Sequence, residues 1–183
     1  MRRTIACAAL LVATMAVPLA GSASGQAQRQ PGTVSFFVED NTSQAANGDT
    51  VTLSTLEEGG TFSPTAKTAD AEGEFTHKAS DGSVKGTGSW QATALLSYHS
   101  FGPATADQVA FFGLPTGSEG GDAKLAVHLT PESGGAGFDA VLDVICQLGT
   151  PPPSAHEGIT LVVQRVGLNF NEIVEGDNLF IRS

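Results

Sequence analysis

The feature of this chain that most restricts its fold is a short alternation of apolar and polar residues that recurs between turn-forming residues. In the segment 33–39, Val34, Phe36 and Val38 fall on one face of an extended chain. In the segment 137–148, every second residue from Phe138 onward is apolar. Alternation with a period of two is typical of a strand that buries one face. The sequence therefore predicts antiparallel β-strands.

Ten segments follow this pattern and are separated by turn signals. The predicted strands are 33–39, 49–56, 72–79, 84–99, 107–114, 122–130, 137–148, 158–166, 168–174 and 178–183. Tight hairpin turns are expected at Asn47-Gly48 and at Asp81-Gly82. About ten closely spaced strands predict an all-β fold, either a single antiparallel β-sandwich or a β-barrel. Both architectures remain open at this point.

The first 27 residues have the pattern of a secretory signal peptide. Arg2 and Arg3 precede an apolar run over 4–19, and small residues dominate 20–27. The alternative, a membrane anchor, is disfavoured because the run is shorter than the roughly 20 apolar residues of a spanning helix. We expect a signal peptide at 1–27, with cleavage after Ala23, Gly25 or Ala27, and a single secreted β domain at 28–183. That domain is expected to lie outside the cytoplasm and to have no membrane span.

The charge balance restricts the partners of the chain. The formal net charge is −10, and two of the nine basic residues, Arg2 and Arg3, belong to the predicted leader. An acidic surface repels phosphate backbones, so nucleic acid is not expected as a partner. The remaining classes of partner are a small molecule, a glycan or a protein, and the acidity also serves solubility.

Cysteine usage excludes an intrachain disulfide after leader removal. Cys7 lies in the leader, so Cys146 is left without a second cysteine. Cys146 shares the apolar face of its predicted strand, which indicates a core residue. The alternative, a catalytic thiol assisted by His156 across a Pro-rich loop, is disfavoured because the alternation already explains the position of the thiol. No His or Cys spacing typical of a metal site occurs, so no metal and no cofactor are predicted.

The stretch 86–102 contains the only Trp and the only Tyr of the chain, Trp90 and Tyr98. Its opening Gly-Thr-Gly, at 86–88, lacks the following helix that a phosphate-binding loop needs. Apolar or small residues alternate with polar ones from Val84 onward, which predicts one long strand or two strands through a bend. A Gly-Thr-Gly followed closely by an aromatic and a small residue resembles a string found in dirigent-like and allene-oxide-cyclase-like β-barrels. That resemblance implies a barrel, and no function is transferred from it.

Three histidines are the candidate catalytic residues. His77, His99 and His128 each fall within a predicted strand, and His77 shares a face with Phe75, which predicts partial burial. Imidazoles beside a carboxylate can act as acid–base groups. Their spacing in the sequence brings no two of them together.

The acidic residues offer no paired site from sequence alone. Asp139 and Asp143 share a strand face but are separated by ~13 Å, too far for a carboxylate pair flanking one bond. The alternating carboxylates in 70–74 match no calcium loop and are read as a solvated face. The nucleophilic-serine motif G-x-S-x-G does not occur. Asn41 begins an N-glycosylation sequon.

These observations favour a secreted, non-catalytic β domain that binds a ligand or has a structural or surface role. In the ligand-binding case, Trp90 and Tyr98 are the candidate residues, in the lumen of a barrel. The alternative is a secreted barrel enzyme whose acid–base residues, His99, His128 or His77 beside a carboxylate, lie at the barrel mouth. The enzyme hypothesis requires a histidine and a carboxylate to meet in one cavity. The binding hypothesis requires an apolar cavity.

Overall fold

A computed structural model of the protein describes residues 32–164 and 166–183. The predicted signal peptide, 1–27, lies outside these residues. The described chain forms twelve strands and one helix. In chain order they are β1 Val34–Val38, β2 Asn41–Ala45, β3 Thr50–Thr55, β4 Gly60–Ser63, β5 Thr68–Asp70, β6 Glu72–Lys78, β7 Val84–Pro103, α1 Ala106–Phe112, β8 Ser118–Pro131, β9 Phe138–Cys146, β10 Gly158–Val163, β11 Leu168–Glu175 and β12 Asn178–Arg182.

Eight of the strands close into an antiparallel barrel. Their order around the barrel is β8, β7, β6, β3, β2, β11, β10 and β9, and β9 pairs back with β8. This closure decides between the two architectures that the sequence left open, in favour of the barrel. The described residues contain no helix of the length and apolarity needed to cross a membrane.

The other four strands, in the order β5, β4, β1 and β12, extend the same sheet from the first residues of β8. They lie against one end of the barrel. Asn178 of β12 donates from its side-chain nitrogen to the carbonyl oxygens of Ile145 and Gly158, where β9 ends and β10 begins. The backbone N–H of Val38 donates to Thr55 at the end of β3. We call this the closed end of the barrel.

The barrel interior follows the predicted alternation. Leu125 of β8 stands opposite Leu142 of β9, and Val127 stands opposite Ala140, with all four side chains buried. Cys146 continues this row and is fully buried, which confirms its predicted place in the core. Opposed apolar side chains on one face of neighbouring strands stabilise both the sheet and its register.

Glycines at two positions make space for the largest side chains. Trp90 is buried and donates from its ring nitrogen to the carbonyl of Ser54 at 3.0 Å. A Cβ on Gly73, directly opposite Trp90, would collide with that carbonyl and with the indole ring. Gly88 stands opposite Phe75 and leaves room for its ring in the same way. Glycine in a strand interior is typical of such close approach.

The prediction of a strand at 107–114 is wrong, because this segment contains helix α1. Thr105 is the N-cap and accepts from the backbone of Gln108, whose side chain accepts in return from the backbone of Thr105. Gly113 ends the helix with a left-handed backbone at φ 67°. This capping box and glycine C-cap stabilise both helix ends. The run of apolar residues 109–112 is instead exposed, with Phe111 at 80%.

The sequence analysis also missed three strands, and it missed the point in β7 at which the buried residues change to the other face of the strand. The strands β2, β4 and β5 are short or carry few apolar residues. Strand β7 is one long strand, but register shifts after Ala92 and after Leu95 break its alternation. Leu95 is therefore buried, whereas Leu96, which was expected on the apolar face, is exposed. Bulges of this kind turn a side chain to the other face of a sheet.

The glycine contacts yield a stability prediction. We expect Gly73→Ala to lower the free energy of unfolding by about 1–3 kcal/mol, because the added methyl group displaces Trp90 or strand β3. Gly86→Ala is the matched control, since its Cβ would meet no atom within 4 Å, and we expect a change within about 0.5 kcal/mol. Urea unfolding followed by Trp90 fluorescence measures both. Equal stabilities for the two variants would contradict this packing.

Candidate functional site

The end of the barrel opposite the closed end contains an apolar cavity. Neighbouring strands of the barrel are antiparallel, so β2, β6, β8 and β10 all run toward this end and the connections that follow them lie there. The cavity has a volume of about 370 Å³ and lies between Phe75, Leu129, Leu161 and Phe170. We call it the mouth cavity. Its walls are mostly apolar, and its only ionisable lining residues among those described are a histidine and a lysine.

These two residues, His77 and Lys85, meet at a buried carboxylate. Nε2 of His77 lies 3.1 Å from Oδ2 of Asp49, and Nζ of Lys85 lies 2.8 Å from the same oxygen. Asp49 is 4% exposed. We call Asp49, His77 and Lys85 the mouth triad. A buried carboxylate of this kind requires charged or hydrogen-bonded partners, and the triad supplies two.

The local backbone explains how each member of the triad reaches the cavity. His77 stands opposite Val51 on the inner face of the sheet, and Asp49 is two residues before Val51, so it faces the same way. Lys85 is an extra residue in β7, because His77 pairs with Gly86 whereas Lys78 pairs with Val84. That β-bulge directs Lys85 toward the mouth instead of the outer face.

The triad also fixes the ionisation of Asp49. The hydrogen bond from Lys85 is the main cause that lowers the pKa of Asp49, burial opposes it, and the hydrogen bond with His77 adds to the lowering. Asp49 is therefore ionised at neutral pH and can only accept hydrogen bonds. In a neutral imidazole facing such an acceptor, Nε2 carries the proton and Nδ1 keeps its lone pair.

The other two candidate histidines lie outside the mouth cavity. His128 pairs with Asp139 at 2.8 Å on the outer face of the barrel, where both side chains are well exposed. His99 is also exposed and packs its ring against Phe101. The structure therefore brings only His77 together with a carboxylate inside a cavity. The prediction that His77 is partly buried is confirmed, since its side chain is 22% exposed.

The two aromatic candidates for ligand binding, Trp90 and Tyr98, do not line the mouth cavity. Trp90 is part of the buried core. Tyr98 is partly buried beside the outer strands and donates to Glu119 at 2.5 Å, and the same carboxylate accepts two hydrogen bonds from Arg182. Burial, followed by the hydrogen bond to Glu119, raises the pKa of Tyr98 above its usual value. Glu119 is thus fully partnered and holds β8 to β12.

The closed end contains a half-buried carboxylate, Glu157. Its carboxylate accepts from the backbone N–H groups of Gln147 and Asn178, at 2.5 and 2.9 Å. Burial raises the pKa of Glu157 to about 7, against the lowering effect of those hydrogen bonds. Asn41 is fully buried in the same region and donates to Asn178, so its sequon is inaccessible to a glycosylating enzyme in the folded protein. The closed end therefore contains a network of hydrogen-bonded polar groups.

The remaining ionic clusters lie on the outside of the barrel. Lys124 bridges Asp122 and Asp143 across β8 and β9. Burial raises the pKa of Asp143 to about 6, and Asp122 adds to this effect. Among the described residues, no group of three His, Cys, Asp or Glu side chains is placed to hold a metal ion. Burial raises the pKa of the Cys146 thiol to about 12, which keeps it protonated and unreactive.

Comparison with models of protein families, with curated proteins and with solved structures finds no match to this chain. The site therefore rests on its own geometry. Sequence reasoning singled out His77 but missed Asp49 and Lys85. The partnership of Asp49 with His77 depends on the pairing of β3 with β6, two strands separated in the chain by β4 and β5. Asp49 directly follows the predicted Asn47-Gly48 turn. That turn indicated that Asp49 lies at the end of a strand, but it did not indicate which side chains Asp49 contacts.

Glu157 yields a prediction about pH. The ordinary pKa of a glutamate in an unfolded chain is 4.5, and that of Glu157 in the folded protein is about 7. Between these two pH values, the folded state therefore binds more protons than the unfolded state. The contribution of Glu157 therefore lowers stability as pH rises from 4.5 to 7, by on the order of 3 kcal/mol. We expect Glu157→Gln to lose less stability than the wild type across this range, as measured by urea unfolding at several pH values. Parallel pH profiles for the two proteins would contradict the raised pKa of Glu157.

Proposed function

We propose that the protein binds a small, mainly apolar molecule in the mouth cavity. The observation that supports this proposal is an open apolar cavity of about 370 Å³ at one barrel end, with the mouth triad at its edge. Binding sites for small molecules are typically concave, mostly apolar, and about 300–1,000 Å³ in volume, with a few polar groups that orient the ligand. The mouth cavity has each of these properties.

Packing around the cavity supports a preformed site. The triad is held by two contacts to one oxygen of Asp49. The ring of His77 also packs edge-to-face on Phe170, with a centroid distance of 5.5 Å. Gly86 leaves open space beside these groups, because a Cβ there would touch no atom within 4 Å. A site whose walls are fixed before binding loses little conformational freedom when the ligand enters.

The cellular setting is part of the proposal. The leader pattern at 1–27 supports export, and the acidic composition supports a partner other than nucleic acid. In this setting the protein acts outside the cytoplasm as a binding protein for an apolar compound. A purely structural or surface role is the competing proposal, and it requires no accessible cavity.

Filling the cavity tests the proposal. We expect wild-type protein to bind Nile red with a rise and a blue shift of the dye emission, because the mouth cavity shields the dye from water. Gly86→Leu places a branched side chain in the open space, and we expect it to weaken dye binding at least tenfold. Fluorescence titration measures both affinities.

The control for this experiment is Ser89→Leu. Ser89 lies three residues further along the same strand and is exposed, so the substitution adds the same side chain outside the cavity. We expect unchanged dye affinity and an unchanged far-ultraviolet circular dichroism spectrum. Equal dye affinity for wild type and Gly86→Leu, with both folded, would refute binding in the mouth cavity.

A further inference from the structure

We propose that His77 is a general base that removes a proton from a molecule bound in the mouth cavity. The substrate class is an apolar compound with a weakly acidic C–H bond next to an electron-withdrawing group. This inference rests on the proposed binding function, since the substrate must occupy the same cavity. It assigns catalysis to one of three candidate histidines.

The orientation of His77 is the first argument. Its Nε2 is directed at Asp49, whose ionised carboxylate accepts the ring proton. Among the described residues, Nδ1 of His77 has no hydrogen-bond partner, although the residue lines the cavity. A carboxylate that fixes the tautomer and stabilises the imidazolium is the arrangement that activates histidine bases in other enzymes. Asp49 is therefore a positioning residue.

The charge balance of the site is the second argument. Proton removal leaves a negative charge on the substrate, and it creates a positive charge on His77. Asp49 stabilises the positive charge on His77 through its direct contact with Nε2. Lys85 lines the same cavity with a half-exposed side chain, and its ammonium group contacts the same Asp49 oxygen. It therefore lies beside His77 and can stabilise the negative charge on the substrate. A charge held in place beside the reacting atoms stabilises a developing charge of opposite sign.

The surroundings of His77 contain few other charges. The facing groups are Asp49 in the β2–β3 connection, the apolar Val51 on β3, Lys85 on β7 and the ring of Phe170 on β11. Asp49 in turn repels the carboxylate of Asp81, in the β6–β7 turn, and raises its pKa, although the hydrogen bonds from Ser83 outweigh this effect. Because Lys85 and Asp49 are paired, proton uptake by His77 leaves the mouth triad with a single positive charge next to a negative substrate.

The chemical step conserves atoms and electrons without a further reactant. Nδ1 of His77 takes the proton from carbon, and the electron pair of the C–H bond moves toward the electron-withdrawing group. The proton then returns to another atom of the substrate, which completes an isomerisation, or passes to water after a leaving group departs. Neither route needs an oxidant, a reductant or a metal ion.

The test uses 5-nitrobenzisoxazole, an apolar probe for a base in a cavity. Removal of its C3 proton forms a nitrile as the N–O bond breaks, and the product phenolate is followed by its absorbance. We expect wild-type protein to accelerate this reaction with saturation kinetics. His77→Gln should lower kcat/KM by about 100-fold, the usual size of a general-base contribution. Asp49→Asn should lower kcat while KM stays within about twofold, because tautomer control is lost and the cavity is kept.

Two controls make the outcome decisive. His128→Gln removes a histidine of the same type, hydrogen-bonded to a carboxylate on the outer face, and should keep the wild-type rate. Gly86→Leu keeps His77 but fills the cavity, and should abolish turnover. Normal Nile red binding together with no turnover by wild type, or with equal rates for wild type and His77→Gln, overturns the base and leaves the binding proposal intact. Full turnover by Gly86→Leu also overturns it, since the base would then act outside the cavity.

Discussion

The architecture depends on the way strand β8 divides one of its edges between two partners. Along one edge β8 pairs with β7, and along the other its first residues pair with β12 and its later residues with β9. Gly120 and Gly121 lie at this change of partner. A Cβ on Gly120 would collide with the carbonyl of Leu148, and one on Gly121 would press on the ring of Tyr98. Close backbone approach at these glycines lets one strand close the barrel and also carry the outer strands.

The shared edge gives the barrel two different ends. Because the outer strands leave from the start of β8, they cover only the end where β9 terminates. There Asn178 and Glu157 bind the backbone groups that the strand ends leave without partners. No strand covers the other end among the described residues, and its interior keeps apolar walls around open space. The mouth triad lies at this uncovered end because the bulge at Lys85 and the β2–β3 turn deliver its members there.

The sequence predicted most of the fold because most of the buried strands alternate apolar and polar residues. It missed the strand Asn41–Ala45, whose buried face carries the polar residues Asn41 and Ser43 in place of apolar ones, and it mistook the apolar helix Ala106–Phe112 for a strand. For the site, alternation correctly placed His77 on an inner face. Sequence alternation could not reveal the contribution of Lys85, because a β-bulge turns this residue toward the mouth cavity. It could not reveal that of Asp49, because Asp49 meets His77 only through the pairing of β3 with β6, which are separated in the chain. Local sequence patterns indicate which face of a strand a residue occupies. Whether side chains from different strands meet in one site depends on the register between strands that are distant in the chain.

The central claim is that the uncovered barrel end is a preformed binding cavity. Nuclear magnetic resonance with benzoxazole, a stable apolar ligand, tests it most directly. The account predicts intermolecular nuclear Overhauser contacts from the ligand to Val51, Leu161 and Phe170, and saturable shifts of the His77 ring signals. Contacts confined to the exposed rings of Phe111 and Phe112, or no contact at all, would contradict it.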